Sequence, residues 1–263
     1  MSHVTAQWEM VDEGWGRRAA DFASLCEPHN CREYVAVHQR LDLGPGIRLL
    51  DVACGSGLAI ELACIRGASC SGIDASPRLV AVARDRNPDC DVRVGDMQAL
   101  PWPDASFDVV TSFRGVWGTT PGAVEEVHRV LAPGGRFAMT VWGDVKKSPG
   151  GWMMTPFRWA TPAKVQHQSD MVALGRPGVG EALLDERGFD VAERFEISFV
   201  LEFPDPETYA RGLASTGPSY EAMEEVGEEQ FLAMLAGHAA NHVRDGLPLR
   251  GLIQLFCYVG TKR

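Results

Sequence analysis

Residues 49–57, reading Leu-Leu-Asp-Val-Ala-Cys-Gly-Ser-Gly, constrain this chain more than any other stretch. Leu49, Leu50 and Val52 form a short apolar run that fits a buried parallel strand. Gly55, Ser56 and Gly57 follow as a tight turn, and residues 58–63 open a helix. Glycine has no Cβ, so at such a turn the backbone can bend sharply and a ligand can approach closely. Asp51 lies inside the strand, just before the turn. A carboxylate there is costly unless a cation or a set of N–H donors meets it.

From Ile47 onward the pattern alternates strand and helix. Strands are expected over 48–53, 70–74, 91–95, 107–113 and 136–141, with helices over 57–66, 77–87 and 121–131 between them. Ser76-Pro77 supplies an N-cap hydroxyl and a proline at the first helical position, and Thr120-Pro121 repeats the device. Such alternation with short loops implies a parallel sheet with right-handed crossovers. Before this core, Trp8, Val11, Trp15, Ala19 and Phe22 recur at helical spacing, and Asn30 with Glu33 reads as a capping box opening a helix to Leu41. After Trp142 the rhythm breaks. Residues 143–180 show no clear period, as in a functional loop or a partly helical insertion. A helix over 181–188, a strand over 195–203, mostly helix over 206–239 and a last strand over 252–259 complete the reading.

Four segments, in order, resemble the motifs of the class I S-adenosylmethionine-dependent methyltransferases. They are Asp51-Val52-Ala53-Cys54-Gly55-Ser56-Gly57, Gly72-Ile73-Asp74-Ala75-Ser76, Gly95-Asp96-Met97, and the stretch from Phe107-Asp108-Val109-Val110 to the Pro133-Gly134-Gly135 turn. Each falls at the end of a successive expected strand, where open α/β sheets bind ligands. The resemblance implies a Rossmann-like, seven-stranded, mostly parallel sheet with helices on both faces. It also implies one methyltransferase domain over 1–263, with a helical cap at 1–45, a cofactor core at 46–142, and a lid, helices and the last two strands at 143–263. It places Asp51, Ala53, Gly55 and Gly57 under the methionine part of the cofactor. Asp74, with Ala75, takes the ribose hydroxyls, which suits a carboxylate able to accept two hydrogen bonds side by side. Gly95, Asp96 and Met97 hold the adenine, and Phe113 closes the fourth strand beside the cofactor. The chain is similar to the small-molecule branch related to the ubiquinone and menaquinone enzymes, over roughly its first 140 residues.

A dinucleotide-binding dehydrogenase is the nearest competitor. Its fingerprint wants Gly-x-Gly-x-x-Gly, but Leu58-Ala59-Ile60 follows Gly57 here, and Asp51 would repel a phosphate. The formal net charge of −10 argues against a nucleic-acid binder, and Lys146-Lys147 reads as a solvated loop. No apolar run is long enough for a membrane span. The seven cysteines form no Cys-x-x-Cys, so neither a zinc site nor a disulfide framework is favoured and a reducing cytoplasm is expected. Cys54 reads as a small residue filling a tight place.

The acceptor site is expected above the carboxyl edge of the sheet, under the N-terminal helices and the segment after the fifth strand. Trp15, Trp117, Trp152, Phe157 and Trp159 are the aromatic candidates, each also readable as core. Trp152 and Trp159 stand out because they lie in the aperiodic segment. His29 and His167 are the two histidines placed near the substrate as candidate bases; no catalytic residue is otherwise assigned. His128 reads as structural, and His238 with His242 as a helix face rather than a metal site. The expected reaction is methyl transfer to an oxygen, nitrogen or carbon of a small molecule, with S-adenosylhomocysteine as product. A fold repurposed for cyclisation or rearrangement, with the cofactor kept intact, is the alternative. Monomer and homodimer both stay open.

Overall fold

The structure is a computed structural model describing residues 8, 11–116, 120–159 and 172–263. Seven strands form one sheet in the order β3-β2-β1-β4-β5-β7-β6. β1 (Arg48–Val52) lies between β2 (Ser69–Asp74) and β4 (Phe107–Phe113), parallel to both. β3 (Asp91–Val94) extends the sheet beyond β2, and β5 (Leu131–Trp142) pairs in parallel with β4. β7 (Leu249–Lys262) is antiparallel to both β5 and the edge strand β6 (Phe189–Phe203). The crossovers carry α3 (Leu58–Ile65), α4 (Pro77–Arg86) and α5 (Pro121–Val130).

Both faces of the sheet are covered, so its central strands read as continuous apolar runs. Leu49 packs with Val37, Ile60, Tyr209 and Phe231 on one face. Leu50 and Val52 pack with Ile73, Val124 and Phe137 on the other. Side chains alternate across a strand, so Asp51 shares the face of Leu49. That face also receives α2 (Cys31–Arg40), α7 (Pro206–Ala214), α8 (Tyr220–Val226) and α9 (Glu228–Ala240).

The turns expected inside the core form as read. Ser76 Oγ accepts from the Leu79 N–H at 3.1 Å and caps α4. Pro121 opens α5, although Thr120 gives no side-chain cap. The N-terminal third differs from its expectation. Instead of one continuous helix, Asp12–Gly16 and Phe22–Cys26 are π-turns flanking a single α-turn, α1 (Ala19–Asp21), and a 3-10 turn spans Glu27–Asn30. Gly16 explains part of the break. A Cβ there would lie 2.5 Å from Ser76 Oγ, so the chain bends where it presses on the start of α4. The capping box at Asn30 does not form. Asn30 donates to the Tyr34 hydroxyl at 2.9 Å and Glu33 is drawn inward, so tertiary partners win over the local cap. β6 begins six residues earlier than its apolar stretch suggests, because pairing with β7 carries its half-exposed first part across a bulge at Val191.

Gly57 is the N-cap of α3, with φ +81°. A Cβ on it would meet Ala83 Cβ at 2.8 Å and Ala83 Cα at 2.9 Å. Gly57→Ala is therefore expected to destabilise the fold by about 2–4 kcal/mol, from left-handed strain and overpacking together. Denaturant titration checks this; an unchanged midpoint would show that the α3–α4 contact is not tight.

Candidate active site

The carboxyl ends of β1 and β2 are tied together by one buried carboxylate. Asp74 Oδ2 accepts from the Gly55 N–H at 2.9 Å, and Oδ1 accepts from the Ser76 N–H at 2.9 Å. The glycine turn is thus held against the end of β2, and the carboxylate gains the donors a buried charge needs. Burial pushes Asp74 up from the ordinary carboxylate range, and these N–H donors pull it down. The Gly95 N–H donates to the Asp74 carbonyl at 3.0 Å, so the start of the Gly95-Asp96-Met97 turn joins the same edge. Asp96 accepts the Gln98 N–H at 2.8 Å, and Asp96 and Met97 are half-buried. Ala53, just past β1, has φ +59°. A non-glycine residue held there marks a backbone over-determined by its surroundings.

Asp51 is 2% exposed and accepts from Thr111 Oγ1 at 2.6 Å. Burial pushes its carboxyl up to about 8, and the charges of Glu27, Asp74 and Glu33 add to the effect. A cation in the turn would reverse that balance.

Glu27 is a member of this site that the sequence did not mark. It is 1% exposed and accepts from Ser56 Oγ and from Arg86. Arg86 also donates to the Ser56 carbonyl at 3.1 Å and the Ala23 carbonyl at 2.9 Å. Phe22 and Glu27 lie 3.4 and 3.5 Å from where a Cβ of Gly55 would be. The segment 12–30 is therefore a roof directly over the glycine turn. Asp12 fastens it to α4 through Ser76 Oγ and Arg78, and Arg17, Arg18 and Asp21 fasten it to Glu224, Glu228 and Arg211 on α7–α9. Nothing in local sequence spacing announces these pairs.

A second buried cluster stands at the carboxyl edge of β4 and β5. Arg114, with φ +59°, reaches Glu33 at 3.0 Å and lies over the rings of Trp142 and Phe199. Thr140 Oγ1 also donates to Glu33, which is fully buried. Tyr34 packs on Phe113 with ring centroids 4.5 Å apart.

The acceptor candidates are spread over this edge. Trp15 packs on the Gly217 backbone and edge-on to Phe22, within the roof. Trp152 lies in a 3-10 segment, Gly151–Arg158, and stacks on His242 at 3.8 Å. Trp159 meets His238 and Phe231 edge-on, and Phe157 packs against the core. His238 Nε2 faces the Trp152 carbonyl at 2.9 Å. The two histidines thus dock the 3-10 segment, and among the described residues no group suited to a metal ion is found. Trp152 borders a cleft of about 260 Å³ with Val145, Lys146, Met154, Thr155 and Arg158. His29 is placed differently from a poised base: Nε2 faces the Glu202 carbonyl at 2.6 Å and Nδ1 the Cys26 carbonyl at 3.0 Å. It ties the roof to β6. Trp117 and His167 lie outside the described residues.

The Asp51 carboxyl yields a test in the cofactor-free protein. Its folded value lies above the unfolded one, so the folded state holds the extra proton and stability falls as pH rises toward about 8. Asp51→Asn keeps an acceptor for Thr111. It is expected to raise the thermal midpoint more at about pH 8.5 than at about pH 5, with an extra gain on the order of 4 kcal/mol, the one-proton slope over about three pH units. An equal effect at both pH values would show that Asp51 titrates normally.

The methyltransferase domain family matches residues 50–139. An uncharacterized methyltransferase of Synechocystis sp. is 30% identical over 164 residues, 59% of this chain and 73% of that protein. The 27-O-demethylrifamycin SV methyltransferase of Amycolatopsis mediterranei is 31% identical over 193 residues, 68% of this chain and 66% of that one. The demethylmenaquinone methyltransferase of Chlorobaculum parvum is 41% identical, but over 91 residues, 34% of this chain and 38% of its own length. Among solved structures, the [4+2]-cyclase SpnF shares the fold with a TM-score of 0.55 at 22% identity, over 88% of this chain and 80% of that one. With its glycine turn, strand order and relatives in agreement, the chain belongs to the class I S-adenosylmethionine-dependent methyltransferases.

Proposed function

We propose that this enzyme methylates an oxygen, nitrogen or carbon atom of a small metabolite or natural product. The observation that carries the cofactor half of this reading is the buried carboxylate set at the glycine turn. Asp51, Asp74 and Glu27 are all below 9% exposed, and the raised Asp51 favours a cationic ligand over a phosphate. Asp74 would take the ribose hydroxyls, with Ala75 beside it. Asp51, Ala53, Gly55 and Gly57 would hold the methionine end, Gly95, Asp96 and Met97 the adenine, and Phe113 the side toward the acceptor. Glu27 is added here as a partner for the cofactor's positive charge.

When bound, the cofactor supplies an electrophilic sulfonium methyl. The chain's own contribution is alignment and exclusion of water, which the roof over the turn is built to give. The net charge of −10 suits a free small acceptor better than a nucleic acid. Similarity to a 27-O-demethylrifamycin SV methyltransferase and to a demethylmenaquinone methyltransferase supports a small-molecule acceptor. Trp152 and the cleft beside it, with Trp159 behind, would receive part of it, and Trp15 would border it from the roof. A second reading keeps the cofactor bound and rearranges the substrate; the cyclase likeness is a matter of fold. Release of S-adenosylhomocysteine during turnover separates the two.

Titration calorimetry with S-adenosylmethionine and S-adenosylhomocysteine tests the cofactor site. Asp74→Ala is expected to weaken binding by about 1.5–3 kcal/mol. Unchanged affinity would misplace the ribose, and no binding by folded wild type would sink the reading. Trp152→Ala is expected to leave cofactor affinity intact and to cut kcat/KM about tenfold or more. Loss of cofactor binding there would move Trp152 out of the acceptor site.

A further inference from the structure

Three thiols converge at the amino-terminal side of β2, away from the glycine turn. Cys64 lies in the last turn of α3, Cys70 is the second residue of β2, and Cys90 immediately precedes β3. Cys64 Sγ and Cys90 Sγ are 3.5 Å apart. Cys70 Sγ lies in the same corner and donates to the Ala68 carbonyl at 3.6 Å. Cys70 is buried, whereas Cys64 and Cys90 are half-buried and reachable from solvent. No ligand role assigned above uses any of them.

Cys64 and Cys70 flank one short turn, between the end of a helix and the start of a strand, whereas Cys90 comes from the end of a later turn. The βαβα connection brings them together. The neighbouring Cys70 and Cys90 thiols draw Cys64 below the ordinary thiol value, while Cys90 is pushed up by burial and by Cys64. The reactive form of a thiol is the thiolate, and a protonated neighbour in contact is placed to resolve its first oxidation product.

We propose that Cys64 and Cys90 form an oxidisable dithiol that closes a disulfide when the protein meets hydrogen peroxide. The Cys64 thiolate attacks one peroxide oxygen; the O–O bond breaks, leaving a sulfenic acid on Cys64 and hydroxide, which takes up a proton. Cys90 sulfur then attacks the Cys64 sulfur, the S–O bond breaks, and water leaves with the Cys90 proton. In total two thiols are oxidised to one disulfide and peroxide is reduced to two waters. The sulfurs need only close from 3.5 Å to the ~2.05 Å of a disulfide. The bond would staple α3 to the turn before β3, at the edge opposite Asp74 and Gly55, and so leave the glycine turn in place.

The test is addition of one equivalent of hydrogen peroxide to fully reduced protein, followed by non-reducing proteolysis and mass spectrometry. The expected product is a linked Cys64–Cys90 peptide lacking two hydrogens, with Cys70 still open to alkylation after unfolding. Cys90→Ser should abolish the link and leave a Cys64 sulfenic acid trapped by a 1,3-diketone probe. Absence of the Cys64–Cys90 peptide from wild type, or a dominant Cys64–Cys70 link, would overturn the assignment. So would a link between two molecules.

Discussion

One carboxylate organises the site. Asp74 ends β2 and receives N–H groups from Gly55 and Ser76, each at 2.9 Å. The first bond fixes the turn that leaves β1; the second fixes the turn that enters α4. Ser76 then caps α4, and α4 lies so close to the turn that only glycine fits at 57. Four elements thus take their relative positions from one side chain. The charge-assisted bonds offset a desolvation that would otherwise keep a carboxylate out of this place.

Around Asp74 the chain concentrates negative charge where water is scarce. Asp51 lies on the roof side of β1, and Glu27 hangs from the roof onto the same turn. Arg86 partly neutralises Glu27 and also grips the Ala23 and Ser56 carbonyls. The remaining imbalance suits a ligand with positive charge and no phosphate. The same roof excludes solvent, so electrostatic attraction in the turn is strengthened when the site is filled. At the neighbouring edge, Arg114 pairs with the buried Glu33 inside an aromatic setting, and the Thr140 hydroxyl donates to the same carboxylate.

Legibility in the sequence follows the range of the interactions. The strand–turn–helix units of 48–142 rest on local signals such as apolar runs, glycine turns and Ser76-Pro77, and each appears within a residue or so of its expected place, apart from an earlier start for β5. The roof does not follow local rules. Trp15 and Phe22 keep helical spacing, yet the chain there folds into π-turns because Gly16 has to fit against Ser76 and Asp12 has to reach Arg78. Asn30 forgoes its cap for Tyr34, and Glu33 goes to Arg114 and Thr140, partners about eighty and more residues away. His29, expected near the substrate as a candidate base, lies between two carbonyls as a strut.

Beyond the cofactor that the family resemblance of its motifs implies, the sequence by itself determined the α/β core and the order of those motifs. Those depend on hydrophobic period and backbone freedom, which are properties of neighbouring residues. Only the tertiary structure decided which charges meet. Glu27 reaching the glycine turn, Arg114 meeting Glu33, Trp152 resting on His242 and Cys90 meeting Cys64 all join residues distant in sequence. No spacing rule encodes such pairs, because the cost of burying each group is set by whatever the finished fold places beside it.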